Sequence, residues 1–348
     1  MSVARSRPRA TMAVLLGLLL AALVQGAALG AIPIPPSRVL SIALDGIPGL
    51  SLQSGWSGAE AAIVRDVRLP RVATAATVGA ALALAGVLFQ GLLRNPLADP
   101  YVIGTAAGAA FGATLALLLP AASLFAGQGF TLVPLAAFLG ALGAVLLVYQ
   151  LSRVGPRTPI VTLLLAGFAL SSILTASVAF LWLTSDVTLR RAMFWTLGGL
   201  SSSGWGQLMV VVPLVAGAAL AARYFTGDLN ALLLGDEAAT HVGVEVERRK
   251  LILLALGSLL TAAAVSISGL IGFVGLVIPH IARLLLGPDH RTLLPAAALV
   301  GAAFLVVVDV LARTVMAPQE IPVGILTALI GAPFFLYLLR KTRREYSF

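Results

Sequence analysis

Apolar residues in this chain come in long unbroken runs, and short clusters of charge, proline and glycine punctuate them. A surface helix of a soluble protein would show one apolar stripe, whereas runs of about eighteen or more apolar residues mark transmembrane helices. The pattern predicts ten spans, at roughly 12–32, 69–93, 101–120, 131–151, 160–183, 206–222, 251–268, 270–286, 293–312 and 321–339. The chain therefore reads as an all-α polytopic membrane protein. The eighth span is interrupted by Gly269, Gly272, Gly275 and Pro279, and a Gly-, Ser- and Pro-containing segment to Asp66 reads as an extramembrane loop with a surface helix. Arg94-Asn95-Pro96-Leu97-Ala98-Asp99-Pro100 forces a structured turn, because both prolines stop a helix. A further turn is expected at Pro120 and Gly127–Gln128. The first run exceeds the roughly 7–15 residue apolar core of a secretory signal, so it reads as a retained span.

One polar stretch, Arg223 to Lys250, breaks the pattern most sharply. Asp236 suits an N-cap, Glu237 the dipole-favoured first turn, and Gly243 the left-handed position after a helix end. This predicts one short helix, about 237 to 242, on a loop between spans, a shape suited to docking another protein. The charged cluster Glu245 to Lys250 reads as the solvated start of the next span.

Composition agrees with the pattern: 59% hydrophobic and 11% charged residues exceed what a soluble globule could cover. The net charge of +9 does not point to nucleic acid, since the cations sit at span ends. With the N-terminus inside, the ten spans put sixteen Lys and Arg on the inner face and seven on the outer: Arg38, Arg65, Arg68, Arg71, Arg190, Arg191 and Arg313. The positive-inside rule thus selects both termini inside and a cytoplasmic Arg223–Lys250 loop.

Candidate chemistry is sparse. Cysteine is absent, which excludes thiolate chemistry, and three dispersed histidines make a metal cage improbable. No carboxylate sits at the centre of a span; Asp309 lies near an outer end with Arg313 four residues on, which weighs against an ion-coupled carrier. The only lysines, Lys250 and Lys341, follow no glycine-rich phosphate loop, so any ATP is hydrolysed by another chain. Ser171, Ser172 and Thr175 form a polar strip on the fifth span that either lines a path or bonds back to its own helix. Arg68, Arg71 and Arg313 read either as receptors for acidic groups on a soluble partner or as interfacial anchors.

An ordered series of motifs carries a resemblance over residues 68–341: Arg68-Leu69-Pro70-Arg71, Gly91 with Arg94 to Pro100, Leu163-Leu164-Leu165-Ala166-Gly167, Leu234-Gly235 with Ala238-Ala239 and Val242-Gly243, Gly272-Phe273 through Pro279-His280, and Pro322-Val323-Gly324 with Gly331-Ala332-Pro333. The chain resembles the permeases of iron-chelate (ferric siderophore and haem) and cobalamin ABC importers of type II. The resemblance implies a single permease domain over 1–348, used as a homodimer with its path on the two-fold axis. It also implies two cytoplasmic ATP-binding-cassette subunits that hold ATP and Mg, an extracytoplasmic substrate-binding protein, and residence in the bacterial inner membrane. No cofactor or metal is expected on this chain, and no bond chemistry. By the same resemblance the 224–250 loop is the ATPase-coupling element, through Leu234, Gly235, Asp236, Glu237, Ala238, Ala239, Thr240, His241, Val242 and Gly243. Asn95, Pro96, Leu97, Ile160 and Val161 form the cytoplasmic gate, Ser171, Ser172 and Thr175 line the path, and Arg68, Arg71 and Arg313 meet the binding protein. Pro159 and Ile160 depart from the small hydroxyl residues of the cobalamin type.

Overall fold

In lipid, every backbone polar group must find its partner within the protein, and helices do this segment by segment. The computed structural model describes residues 8–30, 32–45, 55–119, 132–155, 157–183 and 186–343; the turn at Pro120 and Gly127–Gln128, and Arg5, Arg7 and Arg344, lie outside them. Among the described residues every element is helical, apart from one isolated bridge between Val154 and Arg157.

In chain order the helices are α1 (Pro8–Ala28), α2 (Pro36–Leu44), α3 (Gly58–Ala62), α4 (Leu69–Leu92), α5 (Thr105–Leu118), α6 (Leu132–Ser152), α7 (Ile160–Trp182) and α8 (Asp186–Thr196). There follow α9 (Trp205–Tyr224), α10 (Thr226–Leu232), α11 (Asp236–His241), α12 (Val246–Ser268), α13 (Val274–Leu286), α14 (His290–Thr314) and α15 (Val323–Arg343). A π-helical turn, Ile63–Arg68, joins α3 to α4. Among the described residues seven helical stretches are long and apolar enough to span a membrane, and three shorter apolar ones, within α5, α13 and α15, complete the expected ten. The short ones begin late for a reason in each case. Residues 101–104 are turns ahead of α5, while Gly269 and Phe273, both at positive φ, hold 269–273 out of α13.

The expected surface segment before Asp66 is more ordered than one helix. Ser57 and Glu60 form a reciprocal capping box at the start of α3. Arg38 pairs with Glu60 at 2.8 Å, Arg65 pairs with Asp45 at 2.7 Å, and Ile42 is fully buried beneath them.

Helices α4 and α12 form the centre of the bundle, with α14, α13 and α9 packed around α4 and with α5 and α6 paired beside α12. Lipid supplies no hydrophobic drive between helices, so close backbone approach through small residues takes its place. Gly79 of α4 lies against the Gly301 carbonyl of α14, Gly86 of α4 against the Gly275 carbonyl of α13, and Gly108 of α5 against the Gly140 carbonyl of α6. A methyl group at any of the three would overlap a backbone oxygen. We expect Gly86→Leu to yield no monodisperse protein on size-exclusion chromatography. Gly143→Leu should behave as wild type, because nothing lies within 4 Å of a side chain there.

Candidate functional site

The predicted site residues collect at the two ends of the bundle and in one cavity between them. At the cytoplasmic end, α10 and α11 form two short helices in place of the single one expected. Gly243 takes the left-handed position at φ 86°, donating to the Thr240 carbonyl at 2.9 Å, while Val244 donates to Ala239 at 3.0 Å. This paired closure is a Schellman motif and ends α11 sharply. Asp236 corrects the sequence reading. It is the first helical residue, after Gly235 at φ 108°, and makes no side-chain cap. Its carboxylate instead pairs with Lys250 Nζ at 2.6 Å and Arg94 at 3.3 Å.

Those two partners join α11 to both predicted gate segments. Arg94, at φ 49°, opens the turn that presents Asn95, Pro96 and Leu97, whose geometry is fixed by Leu97 N–H donating to Asn95 Oδ1 at 2.9 Å. Lys250 also lies 3.3 Å from Glu247, whose carboxylate accepts the Thr158 N–H at 2.9 Å just before Ile160 and Val161. The cluster Glu245 to Lys250 is thus no plain solvated helix start: the Lys250 side chain is only 12% exposed and ties Asp236 of α11 to Glu247, the acceptor of the Thr158 N–H. Val161 is exposed, whereas Ile160 packs beside Leu93 and Leu254 around a small void. Behind the first loop, burial pushes the Asp99 carboxyl up to about 6, against the lowering effect of its bond from Tyr101 N–H.

A second set of bonds anchors α10. Asn230 Nδ2 donates to Asp289 at 2.7 Å, and Asn230 Oδ1 accepts from the His290 backbone at 3.0 Å and from the ring Nδ1 at 2.7 Å. His290 therefore opens α14 as a buried residue, where a loop was expected. Bonds from Arg291 N–H and Asn230 hold the Asp289 carboxyl below the usual carboxylate range. Arg249 pairs with Asp228 at 2.8 Å and lies over the Phe225 ring. Ala239 is buried under α11, while Leu234 (77% exposed) and Val242 (70%) project away from the bundle with Glu237, Thr240 and His241. Gly235 and Ala238 are half-buried between them.

The middle cavity, about 370 Å³, is lined by Ser171 and Thr175 of α7 together with Tyr101, Trp182, Thr196 and Leu270. Ser172, one position round the helix, donates back to the Phe168 carbonyl at 2.9 Å. Two of the three predicted hydroxyls therefore meet in the cavity. Trp182 lies seven residues after Thr175 on the same face of α7, whereas Tyr101 and Thr196 come from other parts of the chain and no local spacing marks them. The Tyr101 hydroxyl bridges the backbone N–H and carbonyl of Ile271, fixing one wall.

At the outer end, the three predicted arginines are buried and bonded within the chain. Arg68 donates to the carbonyls of Ala27, Ala28 and Ile32, and Arg313 to those of Gly26 and Leu29, so two guanidinium groups cap the C-terminus of α1. Arg71 pairs with Asp309 at 2.9 Å and with Glu320 at 2.8 Å, and Arg313 lies 3.1 Å from the other Asp309 oxygen. The Asp309 side chain is 1% exposed; Glu320 is the acid at the surface. Among the described residues no cluster of His, Cys, Asp and Glu could hold a metal ion.

This architecture has close counterparts. The model of the FecCD transport family matches residues 14–341. The chain belongs to that family. It is 47% identical to a cobalamin import system permease protein of Halobacterium salinarum, over 83% of this chain and 76% of that one. It is 43% identical to a hemin transport system permease protein of Yersinia pestis, over 81% and 84%. A solved inward-facing structure of a metal-chelate type ABC transporter superposes with a TM-score of 0.81 at 34% identity, covering 96% of this chain and 99% of that one. The family match takes in α1, which the motifs beginning at Arg68 had left out. This family member is accordingly a multi-pass ABC importer permease with a type II fold.

Removing the carboxylate that holds the outer cluster tests its weight. Asp309→Asn leaves Arg71 and Arg313 buried with half their counter-charge, and loss of one partner of a buried pair costs about 3–5 kcal/mol. Thermal unfolding in detergent should show a clear fall in Tm; an unchanged Tm would remove the cluster from the account.

Proposed function

We propose that two copies of this chain form the pathway of an ATP-driven importer for a large, rigid metal chelate, of the siderophore, haem or corrin kind, in the bacterial inner membrane. Two cytoplasmic ATPase subunits, which hold the ATP and Mg, grip Leu234, Val242 and the exposed face of α11. The chain itself binds no cofactor and makes or breaks no bonds. The observation that carries this reading is the coupling unit: exposed apolar side chains sit at a charged cytoplasmic end, where large apolar exposure marks a partner surface. They are tied through Asp236 to Arg94 and Lys250, and thereby to both gate loops. A shift of α11 would pull both loops together, and alternating access needs such a two-state element.

The middle cavity fits the ligand class by chemistry, since hydroxyls and aromatic rings accept a bulky conjugated or polar chelate handed on by a soluble protein. At the outer end a binding protein with acidic residues would meet the cluster of Arg68, Arg71 and Arg313 through Arg71, by taking the place of its accessible partner Glu320. The second reading, an ion-coupled carrier acting alone, is disfavoured by Asp309. This buried carboxylate lies at the outer end rather than mid-span and is neutralised by two arginines.

Reconstitution with the cognate ATPase and binding protein tests the reading. Uptake of cobalamin, haem or a ferric siderophore should require ATP; uptake that follows an ion gradient without ATP would refute it. In the same system Lys250→Met should leave ATP hydrolysis within about twofold while uptake falls by about fivefold or more, the scale of ordinary site-to-site coupling. Asp236→Arg with Glu237→Arg should abolish uptake in a chain that still folds. Normal uptake by either variant would exclude the relay.

A further inference from the structure

A second cavity lies across α8 from the one that holds Ser171 and Thr175. It measures about 560 Å³, and Arg190, Arg191, Ser201, Ser202, Ser268 and Trp195 are among its lining residues. No carboxylate is among its described lining residues. Thr196 faces the first cavity while Arg190, Arg191 and Trp195 face the second, so α8 separates them. The second cavity continues sideways into a cleft of about 150 Å³ whose walls are Leu135 and Phe138 of α6 and Val210 and Leu214 of α9, with Ala263 of α12 as its floor. Pro134, Gln207, Ser266 and Ile267 line both spaces, which makes them one continuous site. The cleft exists because α6 and α9 each pack on α12 and leave a groove between them.

Depth and chemistry identify the occupant. The lining residues of α6, α9 and α12 lie in the outer halves of those helices. From Gln207 to Leu214 the cleft descends about 10 Å at 1.5 Å per residue, within one leaflet of about 15 Å of hydrocarbon. Leu139 and Met209, next to the cleft, are exposed apolar side chains, and an apolar mouth of this kind suits the acyl region of a bilayer. The polar upper part presents two guanidinium groups and serine hydroxyls, which suit a phosphate diester, and the lower part is apolar.

We propose that the chain holds one anionic phospholipid of the outer leaflet here, its phosphate on Arg190 and Arg191 and an acyl chain in the cleft between α6 and α9. The inference stands apart from the importer reading, because it concerns a site open to lipid.

Native mass spectrometry of the full chain, purified in detergent and stripped of lipid, tests it with added phosphatidylglycerol, phosphatidylcholine or glycerol 1-phosphate. One phosphatidylglycerol per chain should be retained, with phosphatidylcholine at least about tenfold weaker. Arg190→Gln with Arg191→Gln should weaken phosphatidylglycerol by roughly thirtyfold, the combined share of two basic residues. Val210→Trp, at an exposed position that leaves the core alone, should weaken it while thermal unfolding of the lipid-free chain stays unchanged. Equal retention of both lipids, or indifference to the arginine variant, would mean an ordinary annular lipid and overturn the proposal. Glycerol 1-phosphate binding as tightly as the lipid and ignoring Val210→Trp would mean a small-anion site. Displacement of the lipid by haem or a ferric siderophore would assign the space to the cargo instead.

Discussion

The arrangement depends first on backbone contact around α4. A membrane offers apolar helices nothing by way of hydrophobic drive, so the bundle coheres where glycine lets one helix reach the carbonyls of another. Gly79 and Gly86 set α14 and α13 directly on α4, and the same device pairs α5 with α6. With α4 so enclosed, its two ends become fixed reference points. The outer end carries Arg71 and leads in from Arg68; the inner end carries Arg94.

Each end then uses charge for a different purpose. At the outer end a nearly inaccessible carboxylate, Asp309, lies between Arg71 and Arg313, and the guanidinium groups of Arg68 and Arg313 close the last turn of α1. Such buried pairs resist rearrangement, because separating them strands a charge. The inner network is half-exposed: Asp236 is 43% and Arg94 36% accessible, so these pairs are individually weak and can exchange. A rigid outer clamp and a labile inner relay are what a subunit driven from the cytoplasm requires. The middle cavity, walled by α5, α7 and α8, lies between the two.

What the sequence revealed follows from the range of each interaction. Span number, the helix end at Gly243 and the polar break at 223–250 depend on local pattern, and they stand in the structure. Asp236 was legible as a helix-start residue but not as a hub, since Lys250 lies fourteen residues on and Arg94 in the distant turn after α4. Arg68 and Arg313 look like surface cations until α1 is folded beside them. Ser171 and Ser172 differ only by one step around α7, about 100°, enough to send one into the cavity and the other back to its helix. Trp182, two turns beyond Thr175 on α7, follows from helical spacing, but Tyr101 and Thr196 come from other parts of the chain, and a single sequence has no way to announce that.

Motion of α11 reaches the proposed gate through Asp236. Because the chain contains no native cysteine, a single Leu97→Cys substitution can carry a spin label without background. In the reconstituted complex, the distance between the labels of the two copies should change when nucleotide binds, and the change should vanish in the Asp236→Ala background, which cuts the link to Arg94 beside the label. A gate distance that ignores nucleotide, or that responds equally in both backgrounds, would contradict the claim.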